Sequence, residues 1–284
     1  MFAFHVNWTR PFTARNPGAP YAVEPFELLT TVLSALEWQR QGGVIAMATD
    51  GLAAAYYEGL GLGSLWNGGI RPVLQDAIPD TVSPFAFWAA GKLYALREMP
   101  APCVMIDTDF ILWRSIEAQC AGADAAAIHR EEIYPDIYPG PSHFQVEEGF
   151  DLDGLDWSVQ PCNTALAYFG SAAFKGLYTA RAISFMEHAP HADDPLTYMV
   201  FAEQRLLSMC AAEAGAKLAI LSDLDTLFGS GQQAYTHVWG YKQQMRDDPA
   251  AYIAFCRRCA ARIKRDYPGF APTAAAVPCL SQYF

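Results

Sequence analysis

The stretch VMIDTDFILW, residues 104–113, decides which fold and which chemistry the chain is expected to have. Its apolar residues form the run of a buried strand, which Asp107 and Asp109 interrupt before the run resumes. A carboxylate without a partner is costly to bury. Either the strand emerges at a surface at this point, or a positive charge lies beside both aspartates.

On both sides of this stretch, short apolar strands alternate with segments of helical spacing. The predicted strands are residues 2–6, 44–50, 104–106, 124–129, 164–169 and 217–221. The predicted helices are residues 25–42, 83–98, 172–188, 196–214 and 249–267. This alternation predicts an α/β fold with a mainly parallel sheet and helices on both faces.

Composition bounds the size and the partners of this fold. The 284 residues suit one large α/β domain or two small ones, and because no clear linker interrupts the pattern we expect a single domain over 1–284. With 52% hydrophobic residues, the chain can bury a substantial core. The net charge of −11 argues against nucleic acid as a partner, since phosphate binding needs a clustered basic face.

Two further features concern the location of the protein. No basic segment precedes an apolar one near the start, and no apolar run reaches about 18 residues, so we expect neither a signal peptide nor a membrane span. The seven cysteines are an odd number in a long chain, which indicates reduced thiols and a cytoplasmic location.

The segment 131–161 stands apart from the alternating pattern. It is rich in proline, glycine, aspartate and aromatic residues. Loops of this length inside a compact domain are usually functional. We therefore expect a long active-site loop here, which orders over a bound ligand.

The aspartate pair follows the carboxyl end of a strand, where ligands of open α/β sheets bind. Residues two apart in an extended chain point to the same side, so Asp107 and Asp109 would present two hard oxygen ligands together. Such ligands suit Mg²⁺ or Mn²⁺. The alternative is a turn in which one aspartate caps a backbone group.

Two chemistries use this pattern. One is the phosphatase chemistry of the haloacid dehalogenase type, with Asp107 as nucleophile and with Lys175 and the pair Asp193-Asp194 in supporting roles. That motif usually opens its domain, whereas here it begins at residue 107. The other is sugar transfer from a nucleotide sugar, in which a metal on the two aspartates grips the diphosphate.

A second motif lies far downstream, in THVWGYKQ, where His237, Gly240 and Lys242 have the spacing H-x-x-G-x-K. Together with the aspartates, this motif resembles the GT-A glycosyltransferases, especially the retaining family of glycogenin and the bacterial galactosyltransferases. The resemblance implies a nucleotide-sugar-binding α/β/α sandwich with a mixed central sheet. It implies His237 as the third metal ligand, Gly240 beside the diphosphate and Lys242 as its counter-charge.

The same resemblance extends to residues between the two motifs. CNTALAYF is similar to the strand that lies against the donor sugar, with Asn163 as the matching residue and Ala165 in place of a glycine. Lys92 has the place of a basic residue that contacts the donor. Glu203-Gln204 resembles an acidic-Gln pair near the acceptor. Asn163, Gln204 and Lys92 are accordingly the expected catalytic residues.

The layout of nearly the whole chain resembles the DUF6734-type proteins, an uncharacterised branch of these enzymes. The shared segments include TRPF, DTDFILW, AEQRLL, HVWGYK and YPGF. The expected donor-binding set adds three residues to those above: Trp8 near the base, Asp50 at a strand end, and Thr108 between the aspartates.

The expected function is therefore metal-dependent transfer of a sugar from a nucleotide-diphosphate donor. The resemblance implies a UDP-sugar, Mn²⁺ or Mg²⁺, retention of configuration, and an acceptor that is a glycan, a small molecule or a peptide. A binding protein without turnover is the alternative besides the phosphatase. Since a histidine ligand must be neutral, metal binding is expected to weaken as pH falls through about 6.5, the pKa of an unperturbed histidine.

Overall fold

The computed structural model describes residues 1–229 and 232–284. The strands are β1 (Phe2–Asn7), β2 (Val44–Thr49), β3 (Ile70–Arg71), β4 (Cys103–Ile106), β5 (Phe110–Leu112), β6 (Ala125–Arg130), β7 (Cys162–Phe169), β8 (Leu218–Ile220) and β9 (Tyr235–His237). The helices up to the middle of the chain are α1 (Arg10–Arg15), α2 (Pro25–Arg40), α3 (Gly51–Gly59), α4 (Ala90–Glu98) and α5 (Glu117–Cys120). The later helices are α6 (Ala172–Glu187), α7 (Thr197–Val200), α8 (Leu206–Ala214), α9 (Leu224–Phe228), α10 (Tyr241–Asp247), α11 (Pro249–Asp266) and α12 (Ala271–Ala276).

The central sheet has the strand order β3-β2-β1-β4-β7-β6-β8. Strand β7 runs antiparallel to both of its neighbours, β4 and β6, while the other neighbouring pairs are parallel. The predicted α/β class with a mixed central sheet is confirmed. A separate antiparallel ribbon joins β5 to β9.

Alternating strand residues feed two cores, one on each face of the sheet. On β1, Phe4 packs into one core and Ala3 into the other, and on β4 Met105 and Val104 divide in the same way. Helices α4, α6 and α8 contribute to the first core, and α2 and α11 to the second. The period of two therefore explains the three layers, because successive strand side chains point to opposite faces.

Several elements differ from the sequence-based prediction. The helix expected over 83–98 begins only at Ala90. The residues before it form turns, in which the Ser83 hydroxyl oxygen accepts from the Ala86 amide and the Ser83 carbonyl oxygen accepts from the Phe87 amide. The helix expected over 196–214 is interrupted by a π-helical turn over Phe201–Arg205. Strand β9 was not predicted, nor were helices α1, α10 and α12. In the described residues, no helix is long and apolar enough to cross a bilayer.

Candidate functional site

The aspartate motif leaves the sheet at the carboxyl end of β4. The Asp107 amide still donates to Ala165 O on β7 at 2.7 Å, so the chain is held to the sheet at this residue. Three residues later the chain enters β5, where Phe110 pairs with His237 of β9. The Val238 amide donates to Asp109 O at 3.2 Å, which ties the far end of the ribbon to the motif.

This ribbon brings His237 to the aspartates, as the resemblance implied. One ligand atom from each of Asp107, Asp109 and His237 lies within 4.8 Å of the others. His237 Nε2 is 3.9 Å from Asp109 Oδ2. Opposite ligands of an octahedral Mg²⁺ are about 4.2 Å apart, at bond lengths of about 2.1 Å, so small shifts would let the three share a cation.

The imidazole of His237 is suited to ligation because burial keeps it neutral. Burial lowers the pKa of His237 to about 4, against the opposing effect of Asp109, and Lys242 and Lys92 lower it further. A neutral ring nitrogen has a free lone pair for a metal. A proton is therefore expected to compete for His237 only at a pH below that of an unperturbed histidine.

Two lysines supply the positive charges that the aspartates require. Lys92 Nζ lies 2.6 Å from Asp107 Oδ1, and Lys242 Nζ lies 3.0 Å from Asp109 Oδ2. Lys92 comes from α4 and Lys242 from α10, on different sides of the motif. The side chain of Lys92 is only 12% exposed, so this lysine is part of the buried wall of the site.

Two glutamates add further negative charge. Glu203 Oε1 pairs with Lys92, and Glu27 Oε1 lies 3.6 Å from Lys242 Nζ. Four carboxylates thus face two ammonium groups, which leaves a formal charge of −2 at the site. Asp109 Oδ2 is buried and receives no hydrogen bond of good geometry, although Lys242 is close. The net negative charge, the neutral imidazole of His237 and the Asp109 oxygen without a well-aligned hydrogen bond are suited to a divalent cation.

The pKa shifts agree with an excess of negative charge. Burial raises the pKa of Asp107 to about 6, Lys92 opposes this, and Glu203 and Asp109 add to it. For Lys92, burial lowers the pKa but Asp107 and Glu203 outweigh it, so the net shift is upward. Lys242 follows the same pattern with Asp109 and Glu27. Both lysines therefore stay charged while the carboxylates compete for them.

An open cleft of about 570 Å³ begins at this cluster and continues along the ends of β1 and β4. Its polar and aromatic lining consists of Asn7, Trp8, Phe12, Arg15, Asn16, Tyr21, Glu24, Glu27, Tyr57, Trp88, Lys92, Asp107, Thr108, Asp109, Lys242 and Arg246. Thr108, Lys92 and Lys242 thus line the same cleft as the two aspartates. The volume suits a small-molecule ligand of moderate size.

The cleft lining also contains a polar network of Asn7, Tyr21 and Tyr57. Tyr21 OH donates to Asn7 Oδ1 at 2.7 Å, and Asn7 Nδ2 donates to Tyr57 OH at 2.8 Å. Trp8 is 9% exposed and packs against Gly91 of α4, where an added Cβ would lie 2.8 Å from Trp8 Cβ. Trp8 therefore forms a buried wall of the cleft.

Asp50 is placed differently from the other predicted donor-binding residues. It caps α3, with Oδ1 accepting from the Ala53 amide at 2.9 Å. Its Oδ2 accepts from the amide and the hydroxyl of Thr9, at 2.7 and 2.8 Å. Both oxygens are engaged by the protein and the residue is buried, so its contacts are structural, and nucleotide binding by Asp50 stays a prediction.

Asn163 and Gln204 do not line this cleft; each is next in sequence to a residue that contacts Lys92, namely Thr164 and Glu203. Asn163 is buried, with Nδ2 donating to Glu131 Oε1 at 3.1 Å and Oδ1 accepting from the Ala165 amide at 3.0 Å. Gln204 Oε1 accepts from Tyr138 OH at 2.5 Å. Tyr138 belongs to the long segment 131–161, which therefore contacts the expected acceptor side.

The long segment is packed rather than open. Arg205 donates to Tyr138 O at 2.9 Å and to Trp157 O at 2.6 Å, and Phe144 and Phe150 are buried in the core. Whether the segment orders further over a ligand stays a prediction. Glu27 is a site residue that sequence reasoning missed, because an acidic residue in a first helical turn has no distinguishing pattern.

Gly240 is the N-cap residue of α10, and a Cβ added there would meet no protein atom within 4 Å. The protein itself therefore does not require glycine at this position by packing, and its φ of −72° is open to any residue. A close approach of a ligand to this backbone, as the resemblance implies, stays a prediction.

The residues expected for a phosphatase are placed away from Asp107. Lys175 Nζ donates to the carbonyl oxygens of Leu96, Arg97 and Met99 at 2.8, 3.1 and 2.6 Å. These carbonyls end α4 before β4 begins, so Lys175 lies at the opposite end of β4 from the aspartates. Asp194 caps the start of α7 through the Thr197 amide, at 3.2 Å. Lys175 and Asp194 therefore form hydrogen bonds that hold helix ends in place.

The chain is similar to several solved structures, but to no family model or curated protein. No family model and no curated protein matches the chain, so the resemblance to the DUF6734-type proteins is not confirmed. The crystal structure of HddC from Yersinia pseudotuberculosis has a TM-score of 0.40 and 10% identity, over 87% of this chain and 98% of that chain.

Two further solved structures are named as sugar transferases. The galactosyltransferase LgtC, in complex with donor and acceptor sugar analogs, has a TM-score of 0.41 and 9% identity, over 80% of this chain and 74% of that chain. Mouse xyloside xylosyltransferase 1 in its apo form has a TM-score of 0.38 and 11% identity, over 78% and 84% of the two chains. Similarity at this level carries no argument about activity, which has to rest on the site itself.

Proposed function

We propose that this chain is a GT-A-like glycosyltransferase that moves a sugar from a nucleotide-diphosphate donor, a UDP-sugar, to an acceptor. The proposal covers residues 1–284 as one domain, Mn²⁺ or Mg²⁺ as cofactor, and retention of the anomeric configuration. The acceptor is a hydroxyl or another nucleophile on a glycan, a small molecule or a peptide.

The observation that carries the proposal is the meeting of two motifs distant in sequence. Asp107 and Asp109 follow β4, and His237 reaches them through the β5–β9 ribbon. Their ligand atoms lie within 4.8 Å of one another, and the two aspartates line a cleft of about 570 Å³. Carboxylate oxygens beside an open cleft are typical of sites in which a divalent cation binds substrate phosphates.

The roles of the residues follow from their placement. Asp107, Asp109 and His237 would hold the cation, which supplies charge to neutralise a diphosphate leaving group. Lys242 and Lys92 line the same cleft and place fixed positive charge beside that leaving group. Gln204 and Asn163 would contact the sugar and the acceptor on the opposite side.

The alternatives have less support. A phosphatase needs Lys175 beside Asp107, but Lys175 is engaged with three carbonyl oxygens at the end of α4. A binding protein without turnover would have the same site, and only a measurement of sugar transfer or donor hydrolysis distinguishes it from an enzyme.

The test is thermal unfolding with UDP, with Mn²⁺, and with both, for the wild type and for His237→Ala. Ligands that bind only the native state raise the melting temperature. We expect UDP and Mn²⁺ together to raise it more than the sum of their separate effects, and His237→Ala to lose that excess. Equal effects of UDP with and without Mn²⁺ would contradict the cation site.

Turnover is tested separately, by incubation with a panel of UDP-sugars and Mn²⁺. Release of UDP from one of the sugars, absent in Asp107→Asn, supports the transferase. Binding without UDP release, over a broad panel of sugars and acceptors, supports the binding protein instead. Release of inorganic phosphate from a phosphomonoester would favour the phosphatase.

A further inference from the structure

The two lysines of the site are arranged in the same way. Each lies between one aspartate of the motif and one glutamate from a separate element. Lys92 joins Asp107 to Glu203, and Lys242 joins Asp109 to Glu27. Each lysine therefore has a second carboxylate that could hold it if a cation took its aspartate.

Lys92 shows this arrangement in its most buried form. An ammonium group has three N–H donors, and three acceptors surround this one. They are Asp107 Oδ1 at 2.6 Å, Thr164 O at 3.4 Å and Glu203 Oε1. Lys92 is thus fully engaged by the protein, and the bond to Asp107 uses an oxygen from the proposed cation site.

Glu203 is fixed independently of Lys92. Thr164 Oγ1 donates to Glu203 Oε1 at 2.7 Å, and Tyr178 OH donates to Glu203 O at 2.6 Å. Glu203 also lies in the π-helical turn Phe201–Arg205, a distortion that is frequent at functional sites. The carboxylate is therefore held in place as a permanent partner for the Lys92 ammonium.

We propose that Lys92 is a built-in place-holder for the cation and that Glu203 is its positioning residue. When a divalent cation binds Asp107, Lys92 gives up Asp107 and keeps Glu203 and Thr164. One N–H of Lys92 then becomes available to the cleft, where a phosphate oxygen of the donor can accept it. This inference rests on the proposed function for the cation, but it concerns how the chain controls cation affinity.

The consequence is a competition that can be measured without a substrate. In the wild type, Mn²⁺ must displace the Lys92 ammonium group from Asp107, whereas in Lys92→Met no ammonium group competes with it. Loss of a nearby positive charge also strengthens the attraction of a cation. We expect Lys92→Met to bind Mn²⁺ about tenfold more tightly than the wild type, or better. Lys217→Met, an exposed lysine away from the site, makes the same change in net charge and serves as the control.

Mn²⁺ alone is titrated into each protein at pH 8, where the aspartates are ionised, and free Mn²⁺ is measured by electron paramagnetic resonance. Since Lys92→Met leaves Glu203 buried without its counter-charge, that variant is expected to be less stable than the wild type. The pair Glu203→Gln and Lys92→Met/Glu203→Gln avoids this difficulty, because the double variant loses both charges. The double variant should bind Mn²⁺ more tightly than Glu203→Gln by clearly more than the factor of about ten that separates Lys92→Met from the wild type.

The role of Glu203 is read from the same four proteins. If Glu203 holds the displaced ammonium, Glu203→Gln weakens Mn²⁺ binding more in the wild type than in the Lys92→Met background. An equal loss in both backgrounds would mean that Glu203 acts only by its charge, and would overturn its positioning role.

Mn²⁺ affinities of Lys92→Met and Lys217→Met that agree within error would overturn the place-holder, while the cation site and the proposed function would stand. Absence of Mn²⁺ binding in every variant would overturn the place-holder and the cation site together. In that case the UDP-dependent melting shift reports separately on donor binding.

Discussion

His237 Nε2 lies 3.9 Å from Asp109 Oδ2, although the two residues are 128 positions apart in the sequence. The β5–β9 ribbon makes this contact, because Phe110 pairs with His237 and the Val238 amide donates to Asp109 O. A slip of one residue in this register would turn His237 to the other face of the ribbon. The register of a three-residue strand therefore determines whether the site exists.

Asp109→Asn should abolish the Mn²⁺-dependent part of the UDP melting shift and lower any transfer rate by about 100-fold or more. Mutation of a residue that only orients a metal ligand already lowers metal affinity or activity by about 10–100-fold, and Asp109 is a proposed ligand itself. An amide oxygen is a poor substitute for a carboxylate toward a divalent cation. Lys242 keeps Glu27 as a partner, so the variant should remain folded. Asp76→Asn, at an exposed position, is the control. Normal turnover in Asp109→Asn would make Asp109 a structural residue.

Asp50→Ala should affect stability and not donor binding. Asp50 accepts hydrogen bonds from the Ala53 amide and from Thr9, and it caps α3. Loss of a helix cap costs about 1–2 kcal/mol. Urea unfolding should show a decrease of this size, while the UDP affinity of the folded variant stays at the wild-type value. A large loss of UDP affinity at unchanged stability would instead establish Asp50 as a nucleotide ligand.

His5 should make the protein less stable as pH falls. Trp66 Nε1 donates to His5 Nδ1 at 3.2 Å, so Nε2 carries the proton and donates to Ser34 Oγ at 2.9 Å. Burial lowers the pKa of His5 to about 3, against a raising effect of Asp109.

Below the unfolded pKa of about 6.5, the unfolded chain therefore binds a proton that the native state excludes, and stability is lost as pH falls from 6.5 toward 3. The loss from this group between pH 7 and pH 5 should be about 2 kcal/mol. Urea unfolding at the two pH values should show a loss that is smaller by about this amount in His5→Gln than in the wild type, because His237, whose pKa is also lowered, contributes to the loss in both proteins. Parallel losses in both proteins would show that the buried imidazole does not titrate in this way.

Arg205→Met should loosen the long segment 131–161 without unfolding the domain. Arg205 donates to Tyr138 O and Trp157 O, and its guanidinium lies 5.0 Å from the centre of the Trp157 ring. Hydrogen bonds from a charged donor contribute about 1.5–3 kcal/mol each. Amides near 138 and 157 should exchange at least about tenfold faster by mass spectrometry.

The control for the loop experiment is Arg97→Met, a surface arginine paired with Glu98. Unchanged exchange in Arg205→Met would mean that apolar packing by Phe144 and Phe150 holds the segment. Protection of the segment by UDP and Mn²⁺ in the wild type would support the prediction that it orders over the ligand.

The sequence by itself determined the layers of the fold. Alternation along β1 and β4 sends Phe4 and Met105 to one core and Ala3 and Val104 to the other. Burial of a strand on both faces can be predicted from its own sequence, because its side chains point alternately to the two faces and both sets are then apolar. The position of Asp107 at the end of such a strand was predictable for the same reason.

Only the tertiary structure decided what lies beside the aspartates. The positive charges beside Asp107 and Asp109 are the ammonium groups of Lys92 and Lys242, and neither ion pair has a local signal in the sequence. Strand β9 has three residues, too few for a periodic pattern to show. Contacts between distant residues depend on strand register and helix packing, which form only when the whole chain has folded. Local periodicity reports the burial of each element, but it does not say which elements will meet.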